Sequence, residues 1–498
     1  MGTLLNRGLL IYGVSGKYSF PMILSTSLLI IRVSRFILNY KRLPYKTIWV
    51  EFADVEVTLR SIGAPPSAMK SDGLPLYTLP VLVDPTNIPY APVILSNTNN
   101  ISEYLESTYP SPAVFPAGSR ALQSLFVHYI QEFFAKPLLP IMVPMSHQHL
   151  SDRSQRHLRN YPSSLSAAYN PQGHSSSHPL PSGPQREQAW LAVKEQFDFI
   201  DAIMAKNTGD GDGIVVMGRE VTYADFALCS VLLWIGGFLP HRKFYHSNRC
   251  ITVRIAPQDW VRVRNWNGGR WERLWERFVL NYKRLRYRTQ WVEFQNIEAT
   301  LRSIGAPPSS VRSDGRPVYT LPVIVDPTRS PSRPEILSNP NNIAEYLETY
   351  YPARSVFPEG SRALQSLFVH YIQETFARPL LPIMVPLSAR GLPERSQPPF
   401  SHSHTVNPLP PGPQRERAWE LVKEQFDFLS AILDKNSMDG DGVCAMGNSV
   451  SYADFALCSV LLWIENMAPH DGWARVREWN GGRWIRLREK CRDYMDVF

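Results

Sequence analysis

The sequence predicts a small α/β unit followed by an all-helical unit, with the pair present twice in one chain. Three observations predict it. Short alternating apolar runs between residues 47 and 95 give way beyond residue 116 to long helical periodicities. The stretch Tyr77-Thr78-Leu79-Pro80-Val81 recurs as Tyr319-Thr320-Leu321-Pro322-Val323, each time followed by an Asp-Pro turn signal. The pattern also returns at a fixed offset, since Asn39-Tyr40-Lys41 reappears as Asn281-Tyr282-Lys283, 242 positions later. A period this long marks tandem domains and not a solenoid.

In copy one, residues 35–42 read as the end of a helix, 47–52 alternate as a strand, and 55–61 form a short helix stopped by Gly63 and Pro65-Pro66. Strands follow at 79–83 and 93–95, then a helix at 100–109 that ends before Pro110, a βαββα order. Proline cannot donate to a sheet ladder, so Pro80 and Pro322 belong at strand starts or edges, where a cis bond often makes a tight turn. Three long helices come next, at 121–134, at 185–207, and from Thr222-Tyr223-Ala224-Asp225 onward, each with one apolar face. The repeat offset falls to 229 at Ala189-Trp190 against Ala418-Trp419, and to 213 at Trp266-Asn267 against Trp479-Asn480. Copy one therefore carries two extra pieces.

The expected organisation is a divergent segment at 1–34, an α/β domain at 35–115 and a helical domain at 116–276 with a mobile loop at 146–183. Copy two follows with an incomplete α/β domain at 277–357 and a helical domain at 358–498 with a mobile loop at 388–412. Both loops are rich in Ser, Pro and His and bury too little to order themselves. His147, His149, His157, His174 and His178 are spaced too irregularly for a metal site.

Hydrophobic residues make up 44% of the chain and charged residues 19%. Those proportions are ordinary for soluble globular protein. The net charge of +8 is spread among acids, with no zinc-finger spacing or RNA-binding aromatic motif, so nucleic acid is not expected as a partner. Five cysteines without a CxxC pair argue for a reducing, cytoplasmic setting without a disulfide framework. The apolar run at 20–33 contains Pro21 and meets Arg32 and Arg35. It is also too short to span a bilayer as a helix. No membrane association is expected.

Seven strings in order carry a resemblance: LNYKRLPYKTIWVEF, IGAPP, YTLPVLVDP, ISEYLESTYP, GPQREQAWLAVKEQFDFI, TYADFALCSVLLW and WNGGRW, most of them repeated in copy two. The chain resembles the glutathione transferase superfamily, and within it the fungal etherase-like branch. The resemblance implies a thioredoxin-like domain that binds glutathione as co-substrate and an all-α domain that helps shape a pocket for a small hydrophobic substrate. It also implies intrachain pairing of the two copies, in the manner of the family's dimers. On it Pro80 and Pro322 match the cis-proline, flanked by Leu79, and Val81 or Val323 would offer backbone N–H and C=O to the cysteinyl part of glutathione. The same turn would serve the fold with or without a ligand.

The Thr222 to Asp225 and Ser451 to Asp454 spacings match the family's helix cap. Such a cap is a folding device worth about 1 kcal/mol. Cys229 and Cys458, in the same apolar helix, read as core.

The chain departs from the family in two places. Where members carry an acid and a serine for the γ-glutamyl group, copy one has Asn97-Thr98 and copy two Asn339-Pro340, so copy two should bind glutathione poorly. The family's serine that donates to the thiolate falls near Leu28 in copy one and Arg270 in copy two, and neither can do so. Ser25, Ser27 or Ser34 would serve only if the register slips, and no catalytic residue is assigned. The first strand is expected to be displaced in copy one and missing in copy two. Residues 13–33 and 236–259 break the pattern and read as translated introns joining two genes. Three readings remain: a weak conjugating or ether-cleaving transferase, a non-catalytic binding protein, or a misassembled chain without selected function.

Overall fold

The computed structural model describes residues 9–14, 25–69, 73–86, 88, 90–142, 151–160, 184–209, 215–236, 279–290, 292, 296–311, 315–390 and 409–495. The chain divides into two compact units, one of residues 1–116 and 123–251, the other of 117–122 and 252–498.

Unit 1 opens with β1 (Leu9–Val14), α1 (Ser25–Tyr40), β2 (Tyr45–Val50), α2 (Val55–Ser61), β3 (Ala68–Met69), β4 (Pro75–Leu76), β5 (Val81–Asp84), β6 (Val93–Ser96) and α3 (Thr98–Thr108). Four strands form one mixed sheet in the order β2-β1-β5-β6, with β1 parallel to β2 and antiparallel to β5. The strands β3 and β4 pair separately as a small hairpin. The α/β domain, expected from residue 35, thus reaches back to Leu9, and its first strand lies inside the sheet. Gly13 and Val14 close β1 and Ser25 to Val33 begin α1, so part of the intron-like segment is built into the fold. Residues 15–24 and 237–259 lie outside the described residues.

The α2 helix buries Val55 and Leu59 against Val81, Val83 and Leu79, which ties the short helix to the centre of the sheet. It stops because Gly63 takes φ +74°, while the Gly63 and Ala64 amides cap the carbonyls of Arg60 and Leu59. Glycine adopts that conformation at the least cost, and such bonds satisfy carbonyls that the helix end leaves open. Lys41, at the end of α1, is fully enclosed and bonded to Glu106 of α3 at 2.6 Å and to the carbonyls of Tyr109 and Pro112. A buried charge is tolerable only when paired in this way.

The helical part of unit 1 contains α4 (Arg120–Tyr129) from Gln123 onward, α5 (Asp152–Asn160), α6 (Pro184–Met204) and α7 (Tyr223–Gly236). The α5 helix lies in the stretch expected to be a loop. Arg153 clasps Asp54 through two bonds of 2.6 and 2.7 Å, and Ser154 donates to Glu51 at 2.8 Å. Polar anchoring supplies the order that apolar burial does not. Of the loop histidines, only His157 falls in a described helix, and its side chain lies outside the described residues.

Unit 2 repeats the series with α8 (Ile297–Ser303), β7 (Ser310–Val311), β8 (Pro317–Val318), β9 (Val323–Asp326), β10 (Glu335–Ser338) and α9 (Pro340–Tyr350). Its helical part comprises α10 (Arg362–Tyr371), α11 (Leu381–Arg390), α12 (Pro413–Leu433), α13 (Tyr452–Met467) and α14 (Arg483–Lys490). Among the described residues β9 pairs with β10 alone, and the stretch where copy two's first strand would fall lies outside them. The helical core is built on Phe426, whose ring meets Phe376 at 4.7 Å and Trp484 at 5.0 Å. Both contacts are edge-on, an arrangement that aromatic rings favour. Ser451 and Asp454 form a complete capping box at the start of α13, and Thr222 and Asp225 bond in the same way before α7. Among the described residues no helix is long and apolar enough to cross a membrane.

Candidate functional site

In unit 1 the Leu79–Pro80 peptide is cis and leads straight into β5. Tyr12 stands opposite Val81 in the antiparallel register. Continuing the ladder by one and two steps carries Gly13 and Val14 past Pro80 and Leu79. The C-terminal end of β1 therefore runs out beside the turn. On its other side Val81 pairs with Ser96. With strands on both flanks, Val81 has no open backbone edge, contrary to the part the sequence assigns it. Leu79, like Pro80, lies outside the ladder, which begins at Val81.

Asn97 and Thr98 join β6 to α3. Asn97 takes φ +73°, and its side chain accepts from the Asn99 amide at 3.0 Å. Asparagine tolerates that region better than most residues do. Thr98 is buried as the first residue of α3. The helical part of the unit fixes this corner: Tyr223 of α7 donates its hydroxyl to Asn99 Oδ1 at 2.5 Å. The α3 N-terminus, with its orphan amides, and the cis-proline turn thus come from adjacent strands, because β5 and β6 are neighbours.

Behind the turn, Asp84 collects four bonds, from the amide and hydroxyl of Thr86 and the phenols of Tyr104 and Tyr109. Burial pushes its carboxyl up, and those donors more than offset it, leaving the group below the usual carboxylate range. This constellation braces β5 against α3.

The three serines offered as thiol donors separate on inspection. Ser34 is fully buried in the middle of α1, its hydroxyl without a partner among the described residues. It is a core serine, well along the helix from the end that follows β1. Ser25 and Ser27 lie in the first turn of α1, with side chains outside the described residues, as is the side chain of Leu28. Arg270 is also outside them. Tyr12 is the hydroxyl-bearing residue that sequence reasoning missed; its signal was the apolar run of residues 9–12 ahead of Gly13. Burial raises its phenol, which keeps it protonated and able to donate.

In unit 2 the Leu321–Pro322 peptide is also cis, and Asn339 takes φ +79° and caps Asn341 at 3.0 Å. Tyr452 donates to Asn341 Oδ1 at 2.8 Å. Pro340 replaces the threonine, so the hydroxyl and one amide are gone. Pro322 and Val323 are half-buried, whereas Pro80 and Val81 are buried. A cleft of about 510 Å³ in this unit is lined by Arg284, Arg286, Arg354 and Tyr494, and its lining includes neither Pro322 nor Asn339.

Comparison with known proteins bears on this geometry. The family model described as the glutathione S-transferase C-terminal domain matches residues 121–244 and again 363–494, together more than half of the chain. The model of the glutathione S-transferase N-terminal domain matches residues 30–113. The glutathione S-transferase-like protein ustS of Aspergillus flavus is 23% identical over 272 residues, covering 53% of this chain and 84% of that protein. Among solved structures, a glutathione S-transferase of Ceriporiopsis subvermispora in complex with glutathione is 28% identical, covering 46% of this chain and 86% of its own, with a TM-score of 0.41. A glutathione transferase from Phanerochaete chrysosporium is 31% identical, covering 47% and 92%, also with a TM-score of 0.41.

Proposed function

The chain belongs to the glutathione S-transferase family, and we propose that it is a weak glutathione-dependent transferase of the fungal etherase-like branch with one working site, in copy one. The observation that carries this reading is the placement of β1 beside the Leu79–Pro80 turn, which completes the sheet in unit 1. Glutathione lies as a short extended strand against Leu79, whose backbone is outside the ladder, and its γ-glutamyl end meets Asn97 and Thr98 at the start of α3. Pro80 and Val81 shape and support the turn. Pro322 and Val323 of copy two keep the turn without the hydroxyl, so that copy is the weaker binder. A small hydrophobic electrophile or ether is the second substrate, and the reading implies a tandem duplication with detoxifying chemistry in the cytoplasm.

The thiol step needs a donor that favours the thiolate. In this reading Tyr12, neutral and opposite Val81, takes that part in place of a serine. The test is retention on a glutathione column followed by a conjugation assay. Wild type is expected to be retained and to turn over slowly. Thr98→Val should weaken glutathione binding about tenfold, the worth of a typical hydrogen bond. Tyr12→Phe should lower turnover by about a hundredfold with binding unchanged. Retention without any conjugation would leave a binding protein, and no retention would defeat both readings.

A further inference from the structure

Unit 2 gathers three cysteines that the transferase chemistry does not use. Cys458 lies in α13, Cys491 directly follows α14, and Cys444 sits in the tight bridge loop that precedes α13; all three are fully buried. The turn after α14 packs on α13, with the Tyr494 ring edge-on to Phe455 at 5.8 Å, which sets Cys491 beside Cys458, while Cys444 is directed to the Asn448 carbonyl. Two of the three are absent from copy one, where the matching positions hold Val215 and Phe278; Cys229 is retained, but it is exposed and not part of the core as its apolar helix suggested, whereas Cys458 is buried. The core position therefore does not call for sulfur, and a lone cysteine has become a facing pair.

We propose that Cys458 and Cys491 are a redox-modifiable dithiol, converted to an intrachain disulfide by a small disulfide oxidant, which ties the turn after α14 to α13. The Cys491 thiolate attacks one sulfur of the oxidant and expels one small thiolate, and the Cys458 thiolate then attacks the mixed disulfide at Cys491 and expels the second. Two electrons pass from the dithiol to the oxidant, and the two protons lost from the cysteines end on the two small thiols. Access comes through local opening of the single short turn that follows Cys491, Arg492–Tyr494, whose Arg492 and Asp493 are exposed. Short turns with exposed side chains and few buried contacts open most readily. The neighbouring thiol and burial hold the Cys491 thiol well above its usual range, so the first step is slow in the closed fold and follows that opening.

The experiment uses the full-length, reduced protein and 2-hydroxyethyl disulfide, a probe that owes nothing to glutathione recognition. After incubation, free thiols are alkylated in denaturant and peptides are mapped without reduction. The expected result is a Cys458–Cys491 cross-link at least tenfold more abundant than any pairing with Cys444, with a melting temperature that rises on oxidation and returns with dithiothreitol. Mixed disulfides without the cross-link, preferential pairing of Cys444, or no reaction under conditions that fully oxidise the urea-unfolded chain would each overturn it. Cys491→Ser should abolish the cross-link and the melting shift together; if that variant does not fold, the wild-type map alone decides. Glutathione-column retention is unaffected in either outcome, so failure here is distinct from failure of the transferase reading.

Discussion

The two α/β units share nearly every local device and differ, among the described residues, in two strands, since unit 2 shows no counterpart of β1 or β2. Each has a cis-proline turn, an asparagine at positive φ capping the next helix, a buried lysine–glutamate pair and an aspartate bonded by two tyrosines. In unit 1, β1 covers β5, and Val81, Leu82, Val83 and Asp84 are all buried. In unit 2, β9 pairs on one side only among the described residues; Val323, Ile324 and Asp326 are half-buried, and Val325 is 48% exposed. Local sequence therefore suffices to shape the turn, while the partner strand decides whether the turn belongs to a packed core. A ligand site needs both, because a backbone edge is presented accurately only when the strand behind it is held.

The sharpest way to break the comparison is through the buried ion pairs. Lys41 and Lys283 are both fully enclosed, bonded to Glu106 at 2.6 Å and Glu348 at 2.7 Å. Removing one partner leaves an uncompensated buried charge, so Lys41→Ala and Lys283→Ala should each cost about 3–5 kcal/mol in the unit concerned. Urea unfolding followed by unit-specific proteolysis would check this. If Lys283→Ala costs nothing, the α/β part of unit 2 is not a packed body and the likeness between the copies ends at its helices. A second pair of substitutions should separate the units instead. Leu82 is fully buried, and Ile324 at the matching position is half-buried. Leu82→Ala should cost about 2–5 kcal/mol, whereas Ile324→Ala should cost about 1 kcal/mol or less. Equal losses would mean that β9 is covered as fully as β5.

Much of this was legible in the sequence, and the part that was not has a physical cause. The repeated Leu-Pro-Val turns, the helix stop at Gly63, the two capping boxes and the apolar faces of the long helices are set by residues within a few positions of one another, and each was found where its pattern predicted. The first strand was not, because Leu9 to Val14 is recognised by what it pairs with, and its partners lie at residues 45–50 and 81–83. The same holds for Val81, whose proline neighbour suggested an open edge until β1 and β6 were seen to flank it. The α5 helix was hidden because its composition reads as loop, and only the long-range bonds of Arg153 and Ser154 give it a place. Ser34 looked like a candidate by residue type and proved to be core by position.

The smallest expected difference lies at the bracing aspartates, and acid should reveal it. Burial raises the Asp326 carboxyl, but the bonds from Thr328, Tyr351 and Tyr346 outweigh it and bring the group down to about 2. A carboxyl lowered by folding adds stability that is fully present above its unfolded value and is lost as pH falls through its folded one. The window for Asp326 therefore runs from about 4 down to about 2, and Asp84, lowered by the same set of donors, responds in the same direction. Asp84 is buried, whereas solvent reaches and screens Asp326. Asp84→Asn should therefore lower stability by about 1–3 kcal/mol and Asp326→Asn by a smaller amount. Above pH 5 both losses should be constant, and below pH 4 both should shrink, because protonation has already removed what the substitution removes. A loss at Asp326 as large as that at Asp84 would show that its tyrosines hold it as tightly without the extra strand, and the packing of β9 would then be set by α9 and not by the sheet.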